Sequence, residues 1–244
     1  MKLTVVIPTI GRRSLIKAVN SALNVEEIQK IFIVKDRDAK VQKFENNKVE
    51  IITIDNKDAC SKRNAGLKLV KTEYVLFLDD DDELCFENFS EFYDLLCKPK
   101  CAGIFFDAKI MCEGRERVIN KKSGMIKQSD LIFRNVVGTT SSVILKVIIL
   151  QNNKVHFDSR NLCRQDYDLW IRLLNIDSLY LQSTSKLGLV YNNDLHIDRV
   201  SKQKFKIKLI SLIYQYLRHL RMNGLLTLTI FNHMRYLLSS ILNR

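Results

Sequence analysis

The chain has 244 residues, 46% of them hydrophobic, with only 8 glycines and 2 prolines. That is enough apolar material for a sizeable core, and it excludes collagen-like, linker-rich and disordered chains. Lys and Arg outnumber Asp and Glu by 39 to 27. The excess is uneven, because residues 199–244 hold nine basic side chains and no acid, which leaves 30 basic against 27 acidic before them.

In chain order, residues 3–7 form a β-branched run ended by Pro8 and Gly11, the pattern of a buried strand entering a loop. Leu15, Ile16, Val19, Ala22 and Leu23 share one helix face. Strands are expected at 31–34, 49–54 and 74–78, with a helix over 59–70 between the last two. Strands alternating with helices at this pitch predict an α/β protein with a parallel sheet. Beyond it, 86–96 reads as helical, 103–110 as extended, 143–150 as an apolar run, and 165–174 as a helix with Leu169, Trp170, Leu173 and Leu174 inward. In the tail, Phe205, Leu209, Leu212, Ile213, Tyr216, Leu217 and Leu220 make one apolar stripe. Asn223-Gly224 breaks that helix, and 225–242 makes a second.

The six cysteines show no CxxC pair and read as reduced, buried thiols of a cytoplasmic protein. Cys97 and Cys101 are at most half of a zinc site. The N-terminal apolar run is too short for a secretory signal. No apolar stretch reaches the roughly 18 to 20 residues that span a bilayer.

Asp79, Asp80, Asp81 and Asp82 sit where a buried strand ends, the edge at which open α/β sheets bind ligands. Packing like charges this closely is unfavourable unless a cation neutralises them. Hard divalent ions take such oxygens together with substrate phosphates. The alternative is a solvated turn capping a helix that starts near residue 86.

Three motifs in order carry a resemblance. VVIPTIGR, CSKRNAGLKLVKTEYVLFLDDDDEL and FDSRNLCRQDYDLWIRLL resemble the nucleotide-side opening, the arginine-asparagine helix with acidic DXD motif, and the acceptor-side motif of the family 2 glycosyltransferases. The resemblance runs from residue 3 to about 201. It implies the GT-A fold: a Rossmann-like, mostly parallel sheet flanked by helices, here with a C-terminal amphipathic helical extension. Residues 1–201 would be the GT-A domain, 1–98 its nucleotide-sugar half and 99–201 its acceptor half, with 202–244 the basic tail.

By the same resemblance, Pro8 and Thr9 line the nucleotide pocket, Asp36 reads the base edge, Arg63 contacts the nucleotide and Asp80 bonds the ribose. Asp81 ligates Mn²⁺ or Mg²⁺, with Asp79 next, and His196 approaches the metal or diphosphate from a closing loop. Asp166 is the general base. Two departures stand out: Lys35 and Gln165 occupy positions where the family often has acids. The implied reaction is metal-dependent, inverting transfer from a nucleotide-diphosphate sugar, UDP by default, to a hydroxyl of a glycan or lipid-linked glycan in cell-surface polysaccharide synthesis. The competing readings are a sugar nucleotidyltransferase, which usually needs a glycine-rich phosphate loop that VVIPTIGRR lacks, and a non-catalytic adaptor binding membrane or nucleic acid.

The tail reads as a membrane-surface helix or as helices packed on the domain or another subunit. The former implies a peripheral protein on the cytoplasmic face of the inner membrane. Nucleic acid is not expected as a partner, because the tail's aromatics lie on the aliphatic stripe rather than among its basic residues.

Overall fold

The structure is a computed structural model, described for residues 1–86, 88, 90–112, 114–192, 205–220 and 234. β1 (Leu3–Thr9) is buried at every residue. α1 (Leu15–Leu23) follows, burying Leu15, Ala18, Val19 and Ala22 at helical spacing. β2 (Ile28–Asp36) pairs parallel with β1 on one side, β3 (Val49–Ile54) pairs parallel with β2, and β4 (Tyr74–Phe77) pairs parallel with β1 on the other side. Parallel register brings the ends of three strands to one edge, so Thr9, Asp36 and the acids after Phe77 emerge together. Pro8 is tolerated because β4 pairs with β1 only as far as Val6, so the missing N–H breaks no bond to that strand.

α2 (Ala59–Leu69) crosses between β3 and β4, capped by Asp58, whose carboxylate accepts the Ser61 N–H at 2.8 Å. A side chain at Gly66 would place its Cβ 2.3 Å from a Val6 methyl, so glycine lets this helix lie close on β1.

The second half begins with β5 (Asp82–Leu84), a 3-10 turn at Ser90–Phe92, α3 (Tyr93–Cys97), β6 (Cys101–Cys112), β7 (Arg115–Ile119) and β8 (Met125–Ile126). After 3-10 turns at Gln128–Leu131 and Thr140–Ser142 come β9 (Val143–Lys146), α4 (Val147–Asn152), α5 (Gln165–Leu174), β10 (Tyr180–Asn192) and α6 (Phe205–Leu220). The sheet order is β3-β2-β1-β4-β9-β6-β10-β5, with β7 on β6 and β8 on β10. Its first four strands are parallel. β9 lies antiparallel between β4 and β6 and joins the two halves. Although β5 follows β4 closely in sequence, it pairs with β10 at the far end, Asp82 opposite Tyr191. The acidic segment therefore bridges the halves. Two apolar clusters fill the sheet's two faces, one around Trp170 and Phe157, the other around Ile7 and Phe106.

Several expectations need correction. Among the described residues of 86–96, Phe86 and Asn88 are not helical. Phe86 and Phe92 instead pack on Phe106, stacked at 4.8 Å and edge-on at 5.1 Å, and only the short α3 remains. The acidic run therefore caps no helix; it leads into a strand. The apolar run at 143–150 divides between β9 and α4. β7, β8 and β10 had no counterpart among the expected elements.

α6 packs differently from its pattern. Ser211, Leu212, Gln215 and His219 are buried, whereas Ile210, Ile213 and Leu217 are 54, 51 and 52% exposed. The loop before α5 explains this, since its backbone groups need partners. Ser211 Oγ accepts the N–H groups of Leu162 and Cys163, both at 3.2 Å, and Gln215 Nε2 donates to the Cys163 carbonyl at 2.6 Å. Tyr214 and Arg218 donate to Asp158, and His219 Nε2 lies 3.1 Å from Asp168 Oδ1. Polar satisfaction outweighs the apolar stripe in choosing the docked face. The second tail helix expected at 225–242, and His196, lie outside the described residues apart from Met234, which is helical and exposed.

Candidate active site

The edge formed by β1, β2 and β4 gathers the expected donor-side residues. Asp36 is held by Lys62, which α2 drives into the site: its Nζ donates to Asp36 Oδ2 at 2.6 Å and to the Thr9 carbonyl at 2.8 Å. The hydrogen bond from Lys62 is the main reason the Asp36 carboxyl lies below its ordinary range, against the opposing effect of burial. Asp36 Oδ1 also accepts the Ala39 N–H at 3.1 Å. Lys35, at the position of an often acidic residue, turns away to donate to the carbonyls of Asp36 and Ala39.

The four acids divide into two groups. Asp80 faces inward, accepting from Thr9 Oγ1 and Arg12 at 2.6 Å each, so both of its oxygens bond within the protein. Asp79, Asp81 and Asp82 present oxygens that all lie within 4.8 Å of one another. Asp81 and Asp82 are buried. These are hard carboxylate donors at the separation a single hard cation requires, so the residues fit a divalent ion.

Arg63 ties this cluster to the acceptor half. It donates to Asp79 Oδ1 at 2.5 Å and to Gln165 Oε1 at 3.0 Å, and its guanidinium lies 5.2 Å from the centre of the Phe157 ring. Asn64, next on α2, exchanges two hydrogen bonds with the Phe157 backbone at 2.8 and 2.9 Å, locking α2 to the loop before α5. Gln165 Nε2 donates to the Asn161 carbonyl at 3.0 Å. A glutamate at this position would have no proton to donate, so the amide suits a position between a guanidinium and a carbonyl.

Asp166 follows in the first turn of α5, after Arg164 in the left-handed conformation (φ 52°). Its carboxylate accepts from Asn135 Nδ2 at 3.1 Å. Burial pushes its carboxyl above the ordinary range, which outweighs the lowering effect of the Tyr167 N–H, Arg164 and Arg63. The segment from Asn135 to Ser142 spans both groups, because Ser141 Oγ accepts the Asp79 N–H at 3.0 Å. The neighbourhoods of Asp79 and Asp166 are thus linked by Arg63 and Gln165 on one side and by this segment on the other.

The structure therefore brings together Pro8, Thr9, Asp36, Arg63, Asp79, Asp80, Asp81 and Asp166, while His196 lies outside the described residues. Reasoning from sequence missed Lys62, Arg12, Asn135 and the clustering of Asp82 with Asp79 and Asp81. Asp82 was visible as the last of four acids. Lys62 was not, since a lysine in so polar a helix reads as surface charge.

This chain belongs to glycosyl transferase family 2, whose family model matches residues 4–145, more than half of its length. It is 24% identical over 191 residues to the amylovoran biosynthesis glycosyltransferase AmsB of Erwinia amylovora; the match covers 69% of this chain and 62%, less than two thirds, of that protein. Among solved structures, residues 1–349 of S. aureus TarS in complex with UDP-GlcNAc superpose with a TM-score of 0.72 at 16% identity, covering 96% of this chain and 73% of that one. The UDP complex of the same protein gives 0.63 at 15% identity, over 89% of this chain and 66% of that one. The fold is GT-A, a mixed sheet flanked by helices.

Proposed function

We propose that this protein transfers a sugar, with inversion, from a nucleotide-diphosphate sugar, UDP by default, to a hydroxyl of a glycan or lipid-linked glycan in surface-polysaccharide synthesis. The observation that supports the reading is the Arg63 bridge, which links three clustered carboxylates to the start of the helix that carries a separate carboxylate with a raised pKa. Family membership supports the transfer, the TarS complexes support a UDP-sugar donor, and the AmsB similarity supports a polysaccharide product. A nucleotidyltransferase has no comparable need for a base positioned across from the acids.

Asp79, Asp81 and Asp82 would hold Mn²⁺ or Mg²⁺, which when bound neutralises the donor's diphosphate as it leaves. Asp36, fixed by Lys62, offers its edge to the base of the nucleotide. Asp166 takes the proton from the acceptor hydroxyl on the face opposite the leaving group, and its raised pKa strengthens it as a base near neutral pH. Asn135 holds the carboxylate in that direction.

The cationic tail and the exposed Ile210, Ile213 and Leu217 support a peripheral position on an anionic cytoplasmic leaflet, where each Lys or Arg near the surface contributes about 1 kcal/mol. Among the described residues, no helix is long and apolar enough to cross a membrane.

The test is thermal unfolding with manganese and a panel of nucleotide sugars. One donor should raise the melting temperature only when metal is present, since ligands that bind the native state stabilise it by mass action. Asp81→Ala should lose that shift. A metal-independent shift of the same size in Asp81→Ala would remove the metal site.

A further inference from the structure

A cavity of about 370 Å³ opens between β6, β10 and the 134–139 segment. It lies at the small end of ligand pockets, the scale of a mono- or disaccharide. One hydrogen bond separates it from the proposed base: Asn135, in its wall, donates to both Asp166 Oδ2 and the Gly138 carbonyl at 3.1 Å. Trp170 Nε1 donates to the same carbonyl at 3.0 Å, which fixes that wall to α5.

The charge lining this cavity is one-sided. Among the described residues that line it, the charged ones are Lys121, Lys122 and Arg134, with no carboxylate. Lys121 is the most constrained of the three. Its backbone N–H donates to Asp107 at 2.8 Å, its ammonium donates to Ser142 Oγ, and a Cβ on Gly138 would come within 2.8 Å of that ammonium. Gly138, with φ 97°, leaves the room that this cation occupies. Burial lowers the Lys121 ammonium to about 7 despite the opposing pull of Asp107, Asp166 and Asp82. A desolvated cation of this kind gains from an added anion. Lys122 is paired with Asp130, an exposed bridge of the kind that is weakly held. Arg134 is exposed at the rim. Ile110, Ile119 and Leu189 add an apolar patch to the wall, suited to the C–H face of a sugar ring, beside the polar Asn120 and Thr139.

We infer that this cavity receives the acceptor and that the acceptor is an acidic sugar, its phosphate or carboxylate held by Lys121 and Arg134 while a neighbouring hydroxyl meets Asp166. The inference rests on the transferase reading for the role of Asp166, but the anion preference is measurable without turnover.

The experiment uses the full chain saturated with UDP and magnesium, so that the donor side is filled. Ligand-observed NMR then gives dissociation constants for glucose 6-phosphate, methyl glucuronide and methyl glucoside. At least one acidic probe should bind tenfold or more tightly than the neutral glucoside, and whichever does so identifies phosphate or carboxylate as the anion. The preference should shrink as salt is raised and should be lost in Arg134→Glu and Lys121→Met. Arg134 is at the surface, so its replacement tests the site even where Lys121→Met disturbs folding. Equal affinity for the neutral probe, no binding of either acidic probe, or a preference that survives Arg134→Glu overturns the inference. Failure of the donor reading looks different: UDP with magnesium would then give no thermal shift in the same samples.

Discussion

Lys62 shows how one side chain connects fold and site. It is 1% exposed, its charge is neutralised by Asp36, and it also ties α2 to the end of β1. Removing one partner of a buried ion pair leaves the other charge uncompensated, at a cost of roughly 3 to 5 kcal/mol. Lys62→Met should lower the unfolding free energy by about that amount in urea titrations and weaken nucleotide binding. A loss below about 1 kcal/mol would mean that the pair does not hold the site. Gln165 makes a second residue-scale test. Gln165→Glu puts a carboxylate beside Asp166 and removes the donor to the Asn161 carbonyl. A neighbouring negative charge raises an already raised pKa, and Asp166, as the proposed base, would work only when ionised. The acid limb of the kcat/KM profile should therefore move to higher pH, with activity falling most below neutrality. An unmoved limb would separate Gln165 from the base.

Among the elements, those with a clear apolar signature were legible in the sequence: β1 and β4 fall on continuous apolar runs, and α1 and α5 where helical spacing placed them. β10 was not, because Ser185 at φ 53° and three register shifts interrupt its pattern. Gly188, which looks like a break, is needed because the Phe106 ring lies where its Cβ would stand. α6 was legible as a helix but not in its orientation, which depends on unpaired backbone groups in a distant loop rather than on its own stripe. Its outward Ile213 and Leu217 make a direct prediction. Replacing both with Asp should change stability by little, within about 0.5 kcal/mol per exposed site, and abolish co-sedimentation with phosphatidylglycerol vesicles. Vesicle binding equal to wild type would move the membrane contact elsewhere.

Across the whole molecule, the candidate site depends on a short acidic segment that runs from the end of β4 in the first half to β5 at the far edge of the second. That crossing puts the three clustered carboxylates beside the loop that positions α5, and Arg63 closes the gap. Sequence motifs made the individual carboxylates readable. Their convergence was not readable, since it depends on β9 joining the halves and on Ser141 and Asn135 reaching Asp79 and Asp166. The most direct measurement is a paired one on Asp166→Asn: calorimetric affinity for the donor with metal, and the rate of sugar transfer. Donor affinity should match wild type while transfer falls by about 10² to 10⁴-fold, the usual contribution of a positioned base. Transfer at the wild-type rate, with donor binding intact, would contradict the account.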